Sequence, residues 1–281
     1  MQIVHDILTM RRVVSELKIQ RKSTGFVATM GALHNGHLAL IDASKAKDDV
    51  TICSIFINPT QFNNPSGLKD YPRETENDIQ LLEKAGCDIV FIPSESEMYQ
   101  NKYVLNFDFG YLEEIMEGQF RPGHFKGVGL VVSKLFNIVE PDRAYFGRKD
   151  LQQLILIQTM TRELLFDVEI IPVATVREGN GVAMSSRNKL LSEKELETAA
   201  DLYNSMKSAQ AKLIGGISVG QAADETRSFF QDQSPIELEY FEIVDIDTLE
   251  RIDKIVDESK VVLCIAGYLG KVRLIDNMSL I

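Results

Sequence analysis

The chain is poor in the residues from which many functional sites are built. Its three cysteines, Cys53, Cys87 and Cys264, form no C-x-x-C pair, which leaves a structural zinc site little to be built from. An odd number of cysteines, set in apolar runs such as Thr51-Ile52-Cys53-Ser54-Ile55, points to reduced, buried thiols and away from a disulfide framework. No apolar run approaches the roughly 18–20 residues that span a bilayer. Residues 1–12 mix acidic, basic and apolar side chains and lack the apolar centre and small-residue cleavage site of a signal peptide. Positive charge is in deficit. Lys and Arg number 30 against 41 Asp and Glu, a net charge of −11, which argues against a general nucleic-acid binder while leaving room for a local basic pocket. Internal repeats and low-complexity segments are absent.

What remains is ordinary for a globular protein: 44% hydrophobic and 25% charged residues over 281 positions, enough for one large domain or, better, two. A cytoplasmic protein that handles small molecules, with no membrane partner, is expected.

Against this background the run Met30-Gly31-Ala32-Leu33-His34-Asn35-Gly36-His37 stands out. It follows the strand-like Phe26-Val27-Ala28-Thr29 and opens a helix-like stretch from Leu38. Unpaired N–H groups at a helix start attract phosphate, glycine lets the backbone approach an anion, and two imidazoles add donors where charge develops. Two histidines and a glycine can sit in any loop, and zinc is a second option for them. The β-to-α setting favours the phosphate reading, a nucleotide site acting at the α-phosphate of ATP.

The first two-thirds of the chain alternates between two patterns. Short Val-, Ile- and Phe-rich runs at 25–29, 50–57, 88–92, 143–146 and 168–173 read as strands, continuous as in a parallel sheet covered on both faces. Helical patterns lie between them at 38–47, 74–85, 128–138 and 151–165, with Gly86 as a stop signal after the second. This predicts an α/β fold with a doubly wound, Rossmann-like parallel sheet and ligands at the carboxyl ends of its strands. Asn58-Pro59-Thr60-Gln61 and Gly147-Arg148-Lys149-Asp150 fall at such ends. The character changes near residue 175. A polar, glycine-punctuated segment (177–188) precedes helical patterns at 193–213 and 219–231, and strands follow near 237–245, 260–266 and 271–275. The expected division is 1–175, a Rossmann-like domain, and 176–281, a smaller C-terminal α+β domain.

Met184-Ser185-Ser186-Arg187 is the second chemical anchor. Two hydroxyls and a guanidinium can hold phosphates and counter charge on a departing pyrophosphate, although a Ser-Ser-Arg turn taken alone is usually a solvated loop. Paired with the histidine motif it resembles the two-part signature of the nucleotidyl-transferring superfamily that includes class I aminoacyl-tRNA synthetases.

A closer resemblance is to the pantoate–β-alanine ligase family. It is carried by residues 29–38, by Phe56-Ile57-Asn58-Pro59-Thr60-Gln61-Phe62, Tyr71-Pro72-Arg73, Arg121-Pro122-Gly123-His124-Phe125, and the runs 134–139 and 141–147. Lys149-Asp150, Gln152-Gln153-Leu154, Thr175-Val176-Arg177-Glu178, Ser185-Ser186-Arg187-Asn188 and Arg273-Leu274-Ile275-Asp276-Asn277 complete it. The motifs keep their order over essentially the full length.

The resemblance implies ATP-dependent joining of (R)-pantoate to β-alanine. Pantoate attacks the α-phosphate of Mg-ATP to give a bound pantoyl adenylate and pyrophosphate, and the amine of β-alanine then releases pantothenate and AMP. It implies ATP contacts from Met30, Gly31, Ala32, Leu33, His34, Asn35, Gly36 and His37, with His37 the acid or donor and His34 on the phosphates. The activity would then depend on pH around neutrality. Gly147, Arg148, Lys149 and Asp150 match a nucleotide loop, with Lys149 facing phosphate and Asp150 the ribose. Val176 matches a backbone contact to adenine, and Met184, Ser185, Ser186 and Arg187 match a mobile phosphate loop in a second domain that closes over ATP. Gln61 and Gln153 match pantoate-binding glutamines. Asp78 aligns with an aspartate associated with Mg²⁺, and relatives form homodimers.

Departures are visible. Asn77 replaces a commonly acidic neighbour of Asp78, Arg148 stands where glutamate is common, and Asn63-Asn64 replaces a glycine-containing pair. His124 sits in a matching stretch with no chemistry that requires it, and His5 reads as a surface residue. A different nucleotidyltransferase would keep the first motif without both glutamine contexts. A non-catalytic descendant would usually have lost His34, His37, Lys149 or the serine loop.

Overall fold

A computed structural model describes residues 1–63, 65–69, 71–101 and 104–281, with the side chains of 65 and 66 left aside; Asn64 of the Asn63-Asn64 pair lies outside the described residues. In chain order the elements are β1 (Gln2–Val4), α1 (Ile7–Ile19), β2 (Thr24–Thr29), α2 (Asn35–Lys45), β3 (Val50–Ile55), α3 (Pro65–Lys69), α4 (Thr75–Lys84), β4 (Ile89–Phe91), α5 (Glu95–Met98), α6 (Met116–Phe120), α7 (His124–Val139), β5 (Arg143–Gly147), α8 (Leu151–Glu163) and β6 (Glu169–Val173). They continue with α9 (Glu193–Ile214), α10 (Val219–Asp232), β7 (Glu237–Asp245), β8 (Val261–Leu269) and β9 (Val272–Ser279). The chain packs as two compact units. One holds Met1–Gly147 with Gln152–Ala174, and the other Arg148–Leu151 with Thr175–Ile281.

In the first unit six strands form a parallel sheet in the order β1-β4-β3-β2-β5-β6, the doubly wound α/β arrangement that the strand–helix alternation predicts. Successive strand residues point to opposite faces, and the sequence supplies apolar groups for both. Phe26, Ile52 and Phe91 pack on one side with Met10 and Val14 of α1 and Val131, Leu135 and Phe136 of α7. Their neighbours Val27, Cys53 and Val90 pack on the other with Leu40 and Ile41 of α2 and Leu82 of α4. Each fully buried side chain of this size contributes about 1.5–3 kcal/mol. β1 and α1 add to the pattern expected from the sequence. β1 is only three residues long and exists by pairing with β4, whereas α1 has a readable signal, the Asp6 carboxylate capping Thr9 N–H at 2.8 Å ahead of Met10, Val14 and Leu17.

The strand order reverses between β2 and β5, and it is beyond the carboxyl ends of strands at such a switch point that open α/β sheets bind ligands. The sequence that follows β2 is the histidine motif.

In the second unit β7, β8 and β9 form an antiparallel sheet. Ala199, Leu202, Met206 and Ala209 of α9 and Ala222 and Phe230 of α10 bury against Phe241, Leu263 and Ile265. Ser192 and Glu195 start α9 with reciprocal side-chain caps, as such a pair does. All three cysteines are free and buried. Among the described residues no helix is long and apolar enough to cross a membrane.

Candidate active site

At the end of β2 the backbone turns through two successive left-handed residues, Gly31 (φ 82°) and Ala32 (φ 51°). For Ala32 this costs about 1–2 kcal/mol. The turn points the N–H groups of Ala32 and Leu33 at one carboxylate, that of Asp78 on α4, at 2.9 and 2.8 Å. Hydrogen bonds to a charged acceptor contribute about 1.5–3 kcal/mol each, enough to offset the strain. A Cβ on Gly31 would stand 2.8 Å from the Asp78 carboxylate, so glycine is required there by space as well as by φ.

The histidines then start α2. His34 is its N-cap, with its Nδ1 accepting the Gly36 N–H at 3.1 Å, while the His34 N–H donates to Nδ1 of His37 at 3.4 Å. This is a capping box made of imidazoles, where serine and glutamate are usual. Because both Nδ1 atoms accept from backbone, each neutral ring carries its proton on Nε2. The rings lie 4.1 Å apart, centroid to centroid, half-buried. The first turn of α2 has no acidic residue of its own, and the Asp78 carboxylate is held just before it, on the Ala32 and Leu33 amides.

Beyond β3, the 3-10 turn Pro59–Gln61 carries Gln61, which is 9% exposed. Its carbonyl accepts from Asn58 Nδ2 at 3.0 Å and its NH₂ donates to Met30 Sδ at 3.1 Å. Asn58 is itself fixed. Nδ2 donates to the Gly127 carbonyl at 3.1 Å, and Oδ1 accepts from the Tyr99 hydroxyl at 2.7 Å and the Thr60 hydroxyl at 2.9 Å. The amide of Gln61 is therefore set by a buried polar network, which rigidifies when fully satisfied. His124, for which sequence reasoning finds no task, is 4% exposed with Nδ1 2.9 Å from the backbone carbonyl of Gln61 and 3.0 Å from the Arg121 guanidinium. Asn58, Tyr99, Thr60 and His124 are what sequence reasoning leaves unassigned. The signal available is the place of Asn58, Thr60 and His124 within the motifs that carry the resemblance.

The paired glutamines on α8 divide. Gln152 is consumed internally, donating to the Leu112 and Ile115 carbonyls at 2.6 and 3.0 Å and accepting the Glu117 N–H at 2.9 Å. Gln153 is half-buried, on a different side of the helix.

Asp78 is 1% exposed, and both of its oxygens hold loop amides. A Mg²⁺ ligand needs an oxygen open to a hydrated ion, and the Asp78 carboxylate does not fit that role. Among the described residues no three His, Cys, Asp or Glu side chains converge as a metal site.

The second unit carries the other expected group. Ser185 caps the 3-10 turn Ser186–Leu190 by accepting the Arg187 N–H at 3.2 Å, and the Met184 N–H donates to the Val176 carbonyl at 2.9 Å. Lys149 and Ser185 line one small cleft with Tyr203 and Asp276. The carbonyls of Arg148 and Lys149 are held by Asn277 Nδ2 at 2.9 and 2.8 Å. Next to Asn277, Asp276 pairs with Arg177 at 2.5 and 3.1 Å, and the guanidinium lies 4.5 Å above the Tyr203 ring. Burial pushes the Asp276 carboxyl above its usual range, against the pull of Arg177. The motifs Thr175-Val176-Arg177-Glu178 and Arg273-Leu274-Ile275-Asp276-Asn277 thus meet in one ion pair, its carboxylate buried and its guanidinium half-buried, beside residues 148–149. Asp150 and Arg148 are exposed.

A doubly wound sheet with a glycine- and histidine-bearing turn at its switch point defines an α/β enzyme. The pantoate–β-alanine ligase family model matches residues 2–279. The pantothenate synthetase of Coprothermobacter proteolyticus is 47% identical over 99% of this chain and 98% of its own, and that of Cytophaga hutchinsonii 44% over 99% of both. Among solved structures, pantothenate synthetase from Thermus thermophilus superposes with a TM-score of 0.93 at 37% identity, over 100% of this chain and 99% of that one. The pantoate–β-alanine ligase from Francisella tularensis, complexed with β,γ-ATP and β-alanine, superposes with 0.83 at 34% identity, over 100% and 98%. The chain belongs to the pantoate–β-alanine ligase family and is a ligase that forms an amide bond.

Proposed function

We propose that the chain joins (R)-pantoate to β-alanine at the expense of ATP, through an enzyme-bound pantoyl adenylate. A pantoate carboxylate oxygen attacks the α-phosphorus and pyrophosphate leaves. The β-alanine nitrogen then attacks the activated carbonyl carbon, and AMP leaves with the oxygen that bound it while the amine gives up a proton. The observation that carries this reading is the imidazole capping box. It fixes two Nε2–H donors at a helix start beyond β2, an arrangement suited to stabilising charge growing on a phosphate.

In this reading His37 is the donor to the phosphate in the first step and His34 its neighbour. The loop Met30, Gly31, Ala32, Leu33, Asn35 and Gly36 shapes the site for the nucleotide. Gln61 and Gln153 bind pantoate. An amide with its carbonyl held by Asn58 presents its NH₂ in one orientation, which suits a carboxylate or hydroxyl acceptor. Lys149, Ser185, Ser186 and Arg187 take up charge on the departing pyrophosphate. Gly147, Arg148 and Asp150 border the nucleotide, and the Val176 backbone meets the adenine. The second unit, 176–281 with residues 148–151, closes over ATP. Magnesium accompanies the triphosphate, and no protein step runs through it. The free, buried thiols support a reducing, cytoplasmic setting, and the partner we assign is a second copy of the chain.

The test is pantoate-dependent exchange of labelled pyrophosphate into ATP. Exchange with pantoate alone, then AMP and pantothenate once β-alanine is added, supports the adenylate route. The absence of both with all substrates and Mg²⁺ present overturns it.

A further inference from the structure

Asp78 lies in the first turn of α4, yet its side chain is directed inward with that of Leu82 one turn on, while Glu76 and Asn77 beside it are exposed. What it meets is backbone. Two consecutive left-handed residues turn the Ala32 and Leu33 amides to one side, a concavity of the kind that captures anions. Here the anion is the protein's own, and Ala32 and Leu33 are themselves 0% and 2% exposed. Gly31 has no room for a Cβ because the Asp78 carboxylate fills that space. One residue beyond Leu33 comes His34, whose ring caps α2 and whose N–H holds His37. The residue that Asp78 grips is thus the chain neighbour of the one that sets both imidazoles.

We infer that Asp78 is the internal anion around which the first loop is wound, a positioning residue for His34 and His37 and not a ligand of magnesium. The Ala32 and Leu33 amides are then not available to the phosphates of ATP, which leaves that work to side chains and the α2 terminus. The Asn77 departure costs nothing in metal binding, since the acidic pair it breaks up does not form the metal site. The loop also holds its shape before nucleotide or metal arrives, a preorganised arrangement that catalysis by charge stabilisation requires.

The role of the histidines rests on the function proposed above, so the decisive readouts use no substrate chemistry. With four histidines in the chain, the imidazole NMR signals of metal-free, nucleotide-free protein are countable. Asp78→Asn should move the His34 and His37 signals and leave His5 unmoved. In pyrophosphate exchange it should lower kcat about 100-fold, as misplacement of reacting groups by about 1 Å does, with the half-saturating Mg²⁺ concentration within about twofold of the unsubstituted enzyme. Unmoved His34 and His37 signals, or a rise of about tenfold in that Mg²⁺ concentration, would overturn the inference. Should Asp78→Asn not fold, amide exchange in the unsubstituted protein decides. Ala32 and Leu33 N–H should be protected without Mg²⁺ and stay so when Mg²⁺ and ATP are added. Exchange at unprotected rates without Mg²⁺, or about tenfold faster once both are present, means that the carboxylate does not hold the loop or leaves it to bind the ion.

Discussion

Gly127→Ala offers a sharp test of how the Gln61 side of the candidate site is built, because helix propensity and packing predict opposite signs. Gly127 lies inside α7, where alanine is ordinarily more stable than glycine by about 0.8–1 kcal/mol. A Cβ at this position would stand 2.3 Å from the Thr60 carbonyl oxygen, 2.4 Å from its carbon and 2.5 Å from the Gln61 nitrogen. These are backbone atoms of the turn that carries Gln61, and ordinary contact begins near 3.4 Å. The turn and the helix must therefore separate by about 1 Å. Such overpacking costs about 1–3 kcal/mol, more than the propensity gain, so the net change is a loss of up to about 2 kcal/mol. The separation also pulls the Gly127 carbonyl from Asn58 and with it the orientation of Gln61. A misplacement of that size costs about 100-fold in rate, expressed in kcat/KM for pantoate with KM for ATP little changed. Gly220→Ala is the control. It lies in α10 with nothing within 4 Å of the new Cβ, and should stabilise by up to about 1 kcal/mol. Urea titration and steady-state kinetics read both. If Gly127→Ala were as stable as Gly220→Ala and bound pantoate normally, the close packing of α7 on the 59–61 turn would be wrong.

Three further outcomes are expected. His37→Ala should lose about 10²–10³ in kcat for pyrophosphate exchange, the usual cost of one preorganised donor; near-normal adenylate formation would remove the assignment. Asp276→Ala leaves the half-buried Arg177 guanidinium without its carboxylate, a loss of about 1.5–3 kcal/mol measurable by urea unfolding, and an unchanged unfolding free energy would show the pair to be incidental. Burial pushes the Cys87 thiol up to about 12 and raises that of Cys53 well above the usual thiol range. Both are acids whose folded value lies above the unfolded one near 9. Their stabilisation is intact below about pH 9 and is lost as the pH rises toward about 12, by about 4 kcal/mol for Cys87 alone. Unfolding measured between about pH 8 and 10.5 should therefore fall less steeply for Cys53→Ala/Cys87→Ala than for the unsubstituted protein, and equal slopes would contradict this.

The parts of the fold legible in the sequence are those with a local cause. Strands covered on both faces read as unbroken Val/Ile runs, so the sequence pattern places β2, β3, β5 and β6 to within one or two residues. β1 escapes it because three residues carry no period and the strand's existence depends on β4. The pattern starts α7 four residues late, leaving out Gly127, where close approach of the 59–61 turn leaves no room for a Cβ. α2 begins three residues earlier than its apolar pattern, since imidazoles serve as its cap and cap rules look for Ser, Thr, Asp or Asn. In the site, groups with recognisable chemistry are legible as candidates. Groups that act on other protein groups are not. Asp78 reads as a metal ligand because its partners are backbone amides 45 and 46 residues away, and nothing in the sequence around His124 reveals that it faces the backbone carbonyl of Gln61.

The central claim is that bond formation takes place at the α-phosphate of ATP, with pantoate oxygen as the nucleophile. Pantoate labelled with ¹⁸O in its carboxylate, taken through one complete reaction with ATP and β-alanine, tests it directly by mass spectrometry of the products. The account predicts one ¹⁸O in AMP, one retained in the amide carbonyl of pantothenate, and none in pyrophosphate. Label in orthophosphate together with release of ADP would place the attack at the γ-phosphate and contradict it.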